Sequence, residues 1–336
     1  MTDTLMDRPA ATADAAPYVR PDVRAFLDYI NNIPGPKMQD QQPAEARAVY
    51  RAMKDIADPP VGDLAAIRDI AIPGPAGTIP ARLYDARATR APGPVVIFFH
   101  GGGFVIGDVE THGSFTAEMA RQLDLPVVSI DYRLAPEAPW PAAPDDCEAA
   151  ARWIAGNPAE LGRVATSLVL SGDSAGGNLT IVVAMQLRDN PAALPVIAQG
   201  PIYPAADMTK DYPSFNQFAE GFLLTRDGMI WFADHYAAEP THVKGSPMVG
   251  DLAGLPPAVI ITASLDPIRD QGRAYAAALA QAGVPVSFRE AKGNIHGFVN
   301  LRQAVPSSAV DVAGYLAALK AVIAEAEGAR AGAAAG

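Results

Sequence analysis

The chain is poor in the residues that bind metals or form disulfides. It contains one cysteine, Cys147, and five histidines among 336 residues. A single cysteine excludes an internal disulfide and is typical of a reducing compartment. The cysteine and the five histidines also form no cluster with metal-ligand spacing. We therefore expect neither a metal nor an organic cofactor.

Membrane spans, a secretory signal and an excess of positive charge are also absent from the sequence. No apolar run approaches the roughly eighteen residues that cross a bilayer. The first eight residues lack the basic start and the apolar stretch of a signal peptide. The net charge is −11, which disfavours nucleic acid and anionic membranes as partners. These absences predict a cytoplasmic protein with no nucleic-acid or membrane partner.

What the sequence does contain is a serine within a glycine-rich turn, in the run Gly172-Asp173-Ser174-Ala175-Gly176. The run follows an apolar, β-branched stretch, and a strand that turns at once into a helix through G-x-S-x-G is a nucleophile elbow. The turn excludes bulky side chains two residues before and after the serine, at Gly172 and Gly176. The helix that follows directs free N–H groups towards developing negative charge. The pattern indicates acyl transfer through Ser174, and by itself it also fits a glycine-rich turn with a solvated serine.

A second glycine-rich segment follows another apolar run and reads His100-Gly101-Gly102-Gly103-Phe104. Consecutive glycines are useful where backbone N–H groups must crowd around a ligand. In the fold that carries the elbow, such a segment supplies one side of an oxyanion hole. The residue after the nucleophile, here Ala175, supplies the other side.

The acid and the base are expected after the serine, because the chain order in this fold is serine, acid, histidine. Asp266 follows the apolar run 258–263, and Pro267 ends that run because proline cannot continue a strand ladder. Asp270 is the alternative acid, although it comes one helical turn later and would favour a helix N-terminus. His296 is the only histidine after Asp266, and its imidazole can take and return the serine proton.

Apolar strands alternate with helical stretches through most of the chain, which predicts an α/β fold with a mainly parallel sheet covered on both faces. The predicted strands are 67–72, 79–84, 95–99, 126–131, 167–171, 195–200, 258–263 and 284–289. Two amphipathic helices, 20–31 and 43–56, precede them. A stretch rich in aromatic residues, 215–236, interrupts the alternation, and Thr225 is expected to cap a helix there.

These segments resemble the bacterial hormone-sensitive-lipase-like esterases, family IV of the α/β-hydrolase superfamily. The resemblance covers about residues 80–321 and also includes Asp131-Tyr132-Arg133-Leu134-Ala135-Pro136-Glu137 and His296-Gly297-Phe298. It implies an α/β-hydrolase fold with a helical cap. It also implies a serine carboxylesterase that hydrolyses short- to medium-chain esters through an acyl-enzyme.

The resemblance assigns roles to individual residues. Ser174 is the expected nucleophile, His296 the base and Asp266 the acid. The expected oxyanion hole consists of the N–H groups of Gly102, Gly103 and Ala175. The supporting motif residues are His100, Gly101, Gly172, Asp173 and Gly176, with His100 structural and not a second base. The expected substrate pocket is lined by Phe104, Tyr203, Phe222, Leu223 and Phe298.

The resemblance also predicts how the chain is divided. Residues 1–50 form an N-terminal cap segment, of which about the first 17 are expected to be disordered. A cap insertion covers 205–250, and the catalytic core comprises 51–204 and 251–323. The low-complexity end, 324–336, is expected to be a flexible tail. Relatives are often dimers, so a homodimer is expected.

Two other functions remain open at this point. An amidase or deacetylase could use the same triad, because a site that cleaves esters can cleave activated amides. A non-catalytic receptor for a small carboxylic acid is the second alternative, since plant gibberellin receptors resemble this fold. Those receptors lack a working triad histidine, and the presence of His296 argues against this alternative.

Overall fold

The structure is a computed structural model that describes residues 16–335. The disorder expected of the N-terminal segment falls almost wholly outside these residues. The strands are β1 (Ala66–Gly74), β2 (Gly77–Asp85), β3 (Gly93–Phe99), β4 (Val127–Ile130), β5 (Ala165–Asp173), β6 (Val196–Ile202), β7 (Ala258–Leu265) and β8 (Val286–Ile295). The helices are α1 (Pro21–Ile30), α2 (Pro43–Ala57), α3 (Gly113–Leu123), α4 (Ala142–Ala155), α5 (Ala175–Asp189), α6 (Pro213–Gln217), α7 (Arg226–Tyr236), α8 (Arg269–Gln281) and α9 (Ser308–Ala335).

All eight strands belong to one sheet in the order β1-β2-β4-β3-β5-β6-β7-β8. The hairpin β1-β2 is antiparallel and pairs antiparallel with β4, whereas β4, β3 and β5 to β8 run parallel. Every predicted strand is present, with ends shifted by a few residues. Because parallel strands share one direction, their carboxyl ends meet at one edge of the sheet.

The sheet is buried on both faces, as β3 shows. Val95, Ile97 and Phe99 join an apolar cluster with α4, α5 and α8. Val96 and Phe98 join a second cluster with α3 and α9. Successive side chains of a strand point to opposite faces, so a strand covered on both sides reads as an unbroken apolar run. The prediction of an α/β fold with a covered, mainly parallel sheet is confirmed.

The N-terminal helices and the insertion after β6 lie at the carboxyl edge of the sheet. Leu27 of α1 packs in a third cluster with Phe218 of the insertion and Leu265 of β7. Arg47 of α2 donates to the backbone oxygen of Val105, in the loop after β3, at 2.7 Å. The carboxyl edge is therefore covered by two segments that are distant in the sequence.

Two helix ends test the local predictions. Thr225 caps α7 as expected, because its side-chain oxygen accepts the N–H of Gly228 at 3.1 Å. The expectation of a flexible tail from residue 324 is wrong, since α9 continues to Ala335. Alanine has the highest helix propensity, and Arg330 also donates to the backbone oxygen of Thr166 at 3.0 Å.

Within residues 16–335, none of the helices combines the length and apolar character required to cross a bilayer.

Candidate active site

The turn between β5 and α5 has the geometry of a nucleophile elbow. Ser174 lies between the two elements with φ 56° and ψ −114°, outside the regions that a non-glycine residue ordinarily adopts. A Cβ atom on Gly172 or Gly176 would overlap the backbone oxygen of Phe99, so neither position accommodates a side chain. The N–H of Ser174 donates to the backbone oxygen of Ile202 at 2.9 Å. The surrounding backbone thus maintains a conformation that costs about 1–3 kcal/mol.

Serine, histidine and aspartate form a continuous chain of hydrogen bonds at the carboxyl edge. His296 Nε2 lies 2.9 Å from Ser174 Oγ, and Nδ1 lies 2.7 Å from Asp266 Oδ2. Asp266 is fully buried and its other oxygen accepts the N–H of Ile268 at 2.8 Å. An ionised carboxylate only accepts, so Nδ1 carries the hydrogen and Nε2 is free to accept the serine proton.

The alternative acid, Asp270, makes a different set of contacts. It accepts the N–H of Ser214 at 3.0 Å and the guanidinium groups of Arg269 at 2.8 Å and Arg273 at 3.1 Å. Burial alone would raise the pKa of Asp270, but these donors hold it below its ordinary value. Asp270 therefore links α8 to α6, and Asp266 is the carboxylate that is hydrogen-bonded to His296.

The loop after β3, residues 100–104, brings free N–H donors to this edge. Gly102 and Gly103 have φ angles of 118° and 58°, a region that disfavours residues with a Cβ. No group among the described residues accepts their N–H groups. Ala175 begins α5, and the N–H groups of a helix's first turn have no partner within the helix. These donors are therefore available to an anionic ligand beside Ser174.

His100 and Asp173 lie behind this loop and not in the open site. His100 is fully buried, stacks on Tyr132 with ring centroids 4.2 Å apart and is bonded through Nδ1 to the backbone oxygen of Gly101. Burial, and then the nearby His112, lower the pKa of His100 to about 4, so it is neutral at pH 7. Asp173 accepts the N–H of Gly101 at 2.7 Å.

The five residues expected to line the pocket occupy three different settings. Tyr203 and Phe298 are fully buried, and the Tyr203 ring lies 4.5 Å from that of His296 between centroids, so they support the histidine. Phe104 stacks on Tyr236 of α7 at 3.8 Å. Phe222 and Leu223 are half-buried in the insertion, and Leu223 lies against the loop that follows His296.

One residue of α7 in this region was not expected from the sequence. The ring of Phe232 lies directly over Gly103, where an added Cβ would overlap it. Phe232 and Tyr236 are four residues apart and therefore lie on the same face of α7. That face contacts the glycine loop at Gly103 and at Phe104. The i, i+4 aromatic spacing is a signal that could have identified this contact.

The described residues include no group of three or more His, Cys, Asp or Glu side chains arranged to hold a metal ion. The arrangement instead combines a hydroxyl, a base oriented by a buried carboxylate, and unpaired N–H donors. Together these groups can activate a nucleophile and stabilise an oxyanion.

Comparisons with known proteins agree with this geometry. A family model described as the alpha/beta hydrolase fold matches residues 96–300. Carboxylic ester hydrolase LipN of Mycobacterium tuberculosis is 41% identical over 265 residues, which cover 76% of this chain and 70% of LipN. Carboxylesterase NlhH of the same organism is 40% identical over 252 residues, which cover 72% of this chain and 78% of NlhH.

Solved structures of other proteins share the architecture. The hyperthermophilic esterase from Pyrobaculum calidifontis superimposes with a TM-score of 0.84 at 35% identity, covering 91% of this chain and 99% of that one. The α/β-hydrolase LAE6 from the metagenome of Lake Arreo has a TM-score of 0.86 at 36% identity, covering 90% and 98%.

Proposed function

The chain belongs to the α/β-hydrolase family and is a carboxylic ester hydrolase, and we propose that Ser174, His296 and Asp266 perform the reaction through an acyl-enzyme. The observation that carries this proposal is the unbroken hydrogen-bonded chain from Ser174 Oγ through His296 to Asp266, at 2.9 and 2.7 Å. The hydrogen bonds of His296 also argue against the alternative that this protein is a non-catalytic receptor, because such a receptor lacks a working triad histidine.

In the first step, Ser174 Oγ attacks the ester carbonyl carbon while His296 Nε2 takes its proton. Asp266 stabilises the resulting imidazolium and retains its own charge. The N–H groups of Gly102, Gly103 and Ala175 stabilise the oxyanion, and one such donor contributes about 3 kcal/mol to the transition state. The carbon–oxygen bond to the alcohol then breaks, and the alcohol leaves with the proton of His296.

The second step repeats this sequence with water. His296 takes a proton from water, whose oxygen attacks the acyl carbon and forms a second oxyanion in the same place. The bond to Ser174 Oγ breaks, and His296 returns the proton to that oxygen. The carboxylic acid leaves and the enzyme is restored.

Replacement of the nucleophile tests this mechanism. We expect Ser174→Ala to lower kcat for p-nitrophenyl butyrate by roughly 10³-fold or more, because only positioning and the oxyanion donors remain. The melting temperature and the circular dichroism spectrum of the variant should match those of a folded protein. Retention of more than a few per cent of activity in a contamination-free preparation would contradict the role of Ser174.

We further propose that residues 16–50 and 205–250 form a cap that restricts the enzyme to short- and medium-chain acyl groups. Charged side chains are distributed over the exposed surface of the insertion and include Lys210, Asp211, Glu220, Arg226 and Asp234. Such a surface lacks the broad apolar face that binds a lipid interface. An enclosed pocket gains about 0.8 kcal/mol per buried methylene until it is filled.

A series of p-nitrophenyl esters from acetate to palmitate tests this preference. We expect kcat/KM to rise with chain length, reach a maximum by about C8 and then fall. Triolein should be hydrolysed poorly with or without an emulsion. A rate that climbs to C16, or that increases sharply when an interface forms, would identify a lipase instead.

The homodimer expected from the resemblance remains a prediction, which size-exclusion chromatography with light scattering can test. Amide cleavage by the same triad likewise remains a prediction. Comparison of the hydrolysis rates of an ester and an amide with the same acyl group tests it.

A further inference from the structure

A buried pair of ionisable groups, His112 and Asp173, lies beneath the glycine loop, and the mechanism described so far does not use it. Asp173 is the last residue of β5 and directly precedes Ser174. His112 directly precedes α3 and is fully buried, and Asp173 is 3% exposed. His112 Nε2 lies 3.2 Å from Asp173 Oδ1. The contact is not a directed hydrogen bond, so its attraction is chiefly between charges.

The hydrogen bonds of Asp173 indicate that it is ionised. One oxygen accepts the N–H of Gly101 at 2.7 Å, and the other accepts the hydroxyl of Tyr203 at 3.3 Å. Burial by itself would raise the pKa of Asp173, but His112 and the N–H of Gly101 lower it below its ordinary value. The residue before the nucleophile is thus a buried carboxylate that only accepts hydrogen bonds.

Each ring nitrogen of His112 faces an oxygen atom. The hydroxyl of Thr111 donates to the backbone oxygen of Asp108 at 2.9 Å. The same hydroxyl oxygen therefore accepts Nδ1–H of His112 at 3.0 Å. Nε2 faces the carboxylate of Asp173 at 3.2 Å, and a carboxylate attracts a nitrogen that carries a hydrogen. This is the geometry of a buried ion pair between His112 and Asp173.

Other ionisable groups around His112 do not replace this pairing. The ring of His100 lies 5.5 Å away between centroids and is neutral at pH 7. The ring of Tyr50 lies 6.2 Å away, and burial raises the pKa of Tyr50 well above its ordinary value. The carboxylate of Asp108 is paired with Arg51. Asp173 is thus the anion that balances His112.

The carboxylate contacts the part of the loop that precedes the proposed oxyanion donors. Its oxygen approaches Gly101 so closely that a Cβ on this glycine would overlap it. Gly102 and Gly103 follow directly, and Ala175 lies two residues after Asp173 on the other side of Ser174. One side chain therefore connects the two backbone segments that supply the donors.

We propose that His112 and Asp173 are positioning residues, whose ion pair holds the glycine loop at Gly101 and so aligns the N–H groups of Gly102 and Gly103 with Ser174. The inference rests on the proposed function, since it assigns these N–H groups to the oxyanion. Catalytic donors of this kind act only when they are aligned before the transition state forms. Loss of the pair is therefore expected to lower kcat and to leave the binding of the ester largely unchanged.

Substitutions on both sides of the pair test the proposal. Asp173→Asn removes the charge and keeps an oxygen that can accept from Gly101, whereas Asp173→Ala removes both. His112→Gln removes the cation. For p-nitrophenyl butyrate we expect kcat to fall about tenfold or more in Asp173→Asn and His112→Gln, and further in Asp173→Ala, with KM within about threefold of wild type. Inactivation by a p-nitrophenyl alkylphosphonate should slow in parallel, because its tetrahedral adduct places an oxygen in the same hole.

Asp146→Asn is the matched control. Asp146 is also a fully buried carboxylate and accepts a main-chain N–H, that of Arg133 at 3.0 Å, together with the Arg133 guanidinium. None of its hydrogen bonds goes to residues 100–104. We expect this variant to melt at a lower temperature and to keep kcat within about twofold of wild type when folded.

The possible results distinguish a failure of the positioning role from a failure of the proposed function. Folded Asp173→Asn and His112→Gln enzymes with kcat within twofold of wild type would overturn the positioning role, even if both melt at lower temperature. Losses that appear in KM and not in kcat would also overturn it. A wild-type protein that turns over no ester would contradict the proposed function instead, before any variant is considered.

Discussion

Buried carboxylates occur at both edges of the parallel strands, and their partners differ. At the amino edge, Asp85 is fully buried and accepts from Arg90 and Arg163, each at 2.7 Å. Asp124 accepts from Arg87 and Arg90 at the same edge. At the carboxyl edge the buried carboxylates Asp173 and Asp266 face histidines.

Carboxylates paired with arginine contribute to stability, whereas those that face histidine can contribute to the reaction. A guanidinium keeps its proton at any pH at which the protein is folded, so the arginine-paired carboxylates can only hold the chain together. An imidazole gains and loses a proton near neutral pH. Only a carboxylate that faces a histidine can therefore take part in proton transfer. At the carboxyl edge, the buried carboxylates Asp146 and Asp108 also pair with arginines. The cation that a carboxylate faces, and not its edge, therefore decides whether it can take part in the chemistry.

The largest expected effect is at the carboxyl edge. We expect Asp266→Asn to lower kcat by about 10⁴-fold, the loss that follows when the acid of a serine protease triad no longer orients its histidine. Asp270→Asn is the matched control, because it removes a carboxylate four residues later, in the first turn of α8, that makes no hydrogen bond to His296. Steady-state kinetics on one p-nitrophenyl ester measure both. A larger loss of kcat in Asp270→Asn would reverse the assignment of the acid.

At the amino edge the same type of substitution should affect stability alone. Asp85→Asn leaves the guanidinium groups of Arg90 and Arg163 without their buried counterion, and breaking such a pair costs about 3 kcal/mol or more. Urea denaturation should show this loss in the free energy of unfolding. kcat measured at a temperature where the variant is fully folded should equal that of wild type. A parallel loss of kcat would show that the two edges are coupled.

The smallest effect concerns Asp131, a carboxylate at the carboxyl edge without a close cation. Its nearest histidine nitrogen, Nε2 of His100, is 3.9 Å away. Burial and the charge of Asp108 raise the pKa of Asp131 to about 6. The folded state thus binds this proton more tightly than the unfolded chain does. Its stabilising contribution is complete below about pH 4 and is lost as the pH rises through about 6.

Asp131→Asn has no proton to lose and should avoid this decline. We expect the variant to melt a few degrees above wild type at pH 8 and to lose this advantage near pH 4. Melting temperatures across that range measure the effect. A difference between the two proteins that does not change with pH would contradict the unpaired state of Asp131.

The strands, and the positions of the three residues of the proposed triad at their ends, could be predicted because their signals are local. An unbroken apolar run ended by glycine or proline marks a buried strand, and Ser174, Asp266 and His296 each follow one. The choice between Asp266 and Asp270 could not be made in the same way, since both follow β7. It depends on which carboxylate is directed towards His296, and that direction depends on the contacts of α8 with α6.

The contacts that could not be predicted join residues far apart in the chain. His112 belongs to no recognised motif, and its relation to Asp173 arises where the residue before α3 meets the end of β5. Phe232 reaches Gly103 only because the insertion folds over the carboxyl edge. The helix over 324–335 is a different case. The low-complexity composition suggested a flexible tail, but alanine favours the helix and Arg330 contacts Thr166 at the start of β5.

The contact between Phe232 and Gly103 has a consequence for substrate selection. Helix α7 lies directly on the loop whose N–H groups are proposed to receive the oxyanion, so closure of the cap and the shape of the hole are mechanically linked. If residues 205–250 act as the proposed cap, we expect an ester too large for α7 to cover it to bind and to react with a loop that lacks the contact with Phe232. Discrimination by size is then expected in kcat more than in KM, as in enzymes whose closure assembles the catalytic site. The proposed cap would then select substrates through the rate at which they react after they have bound.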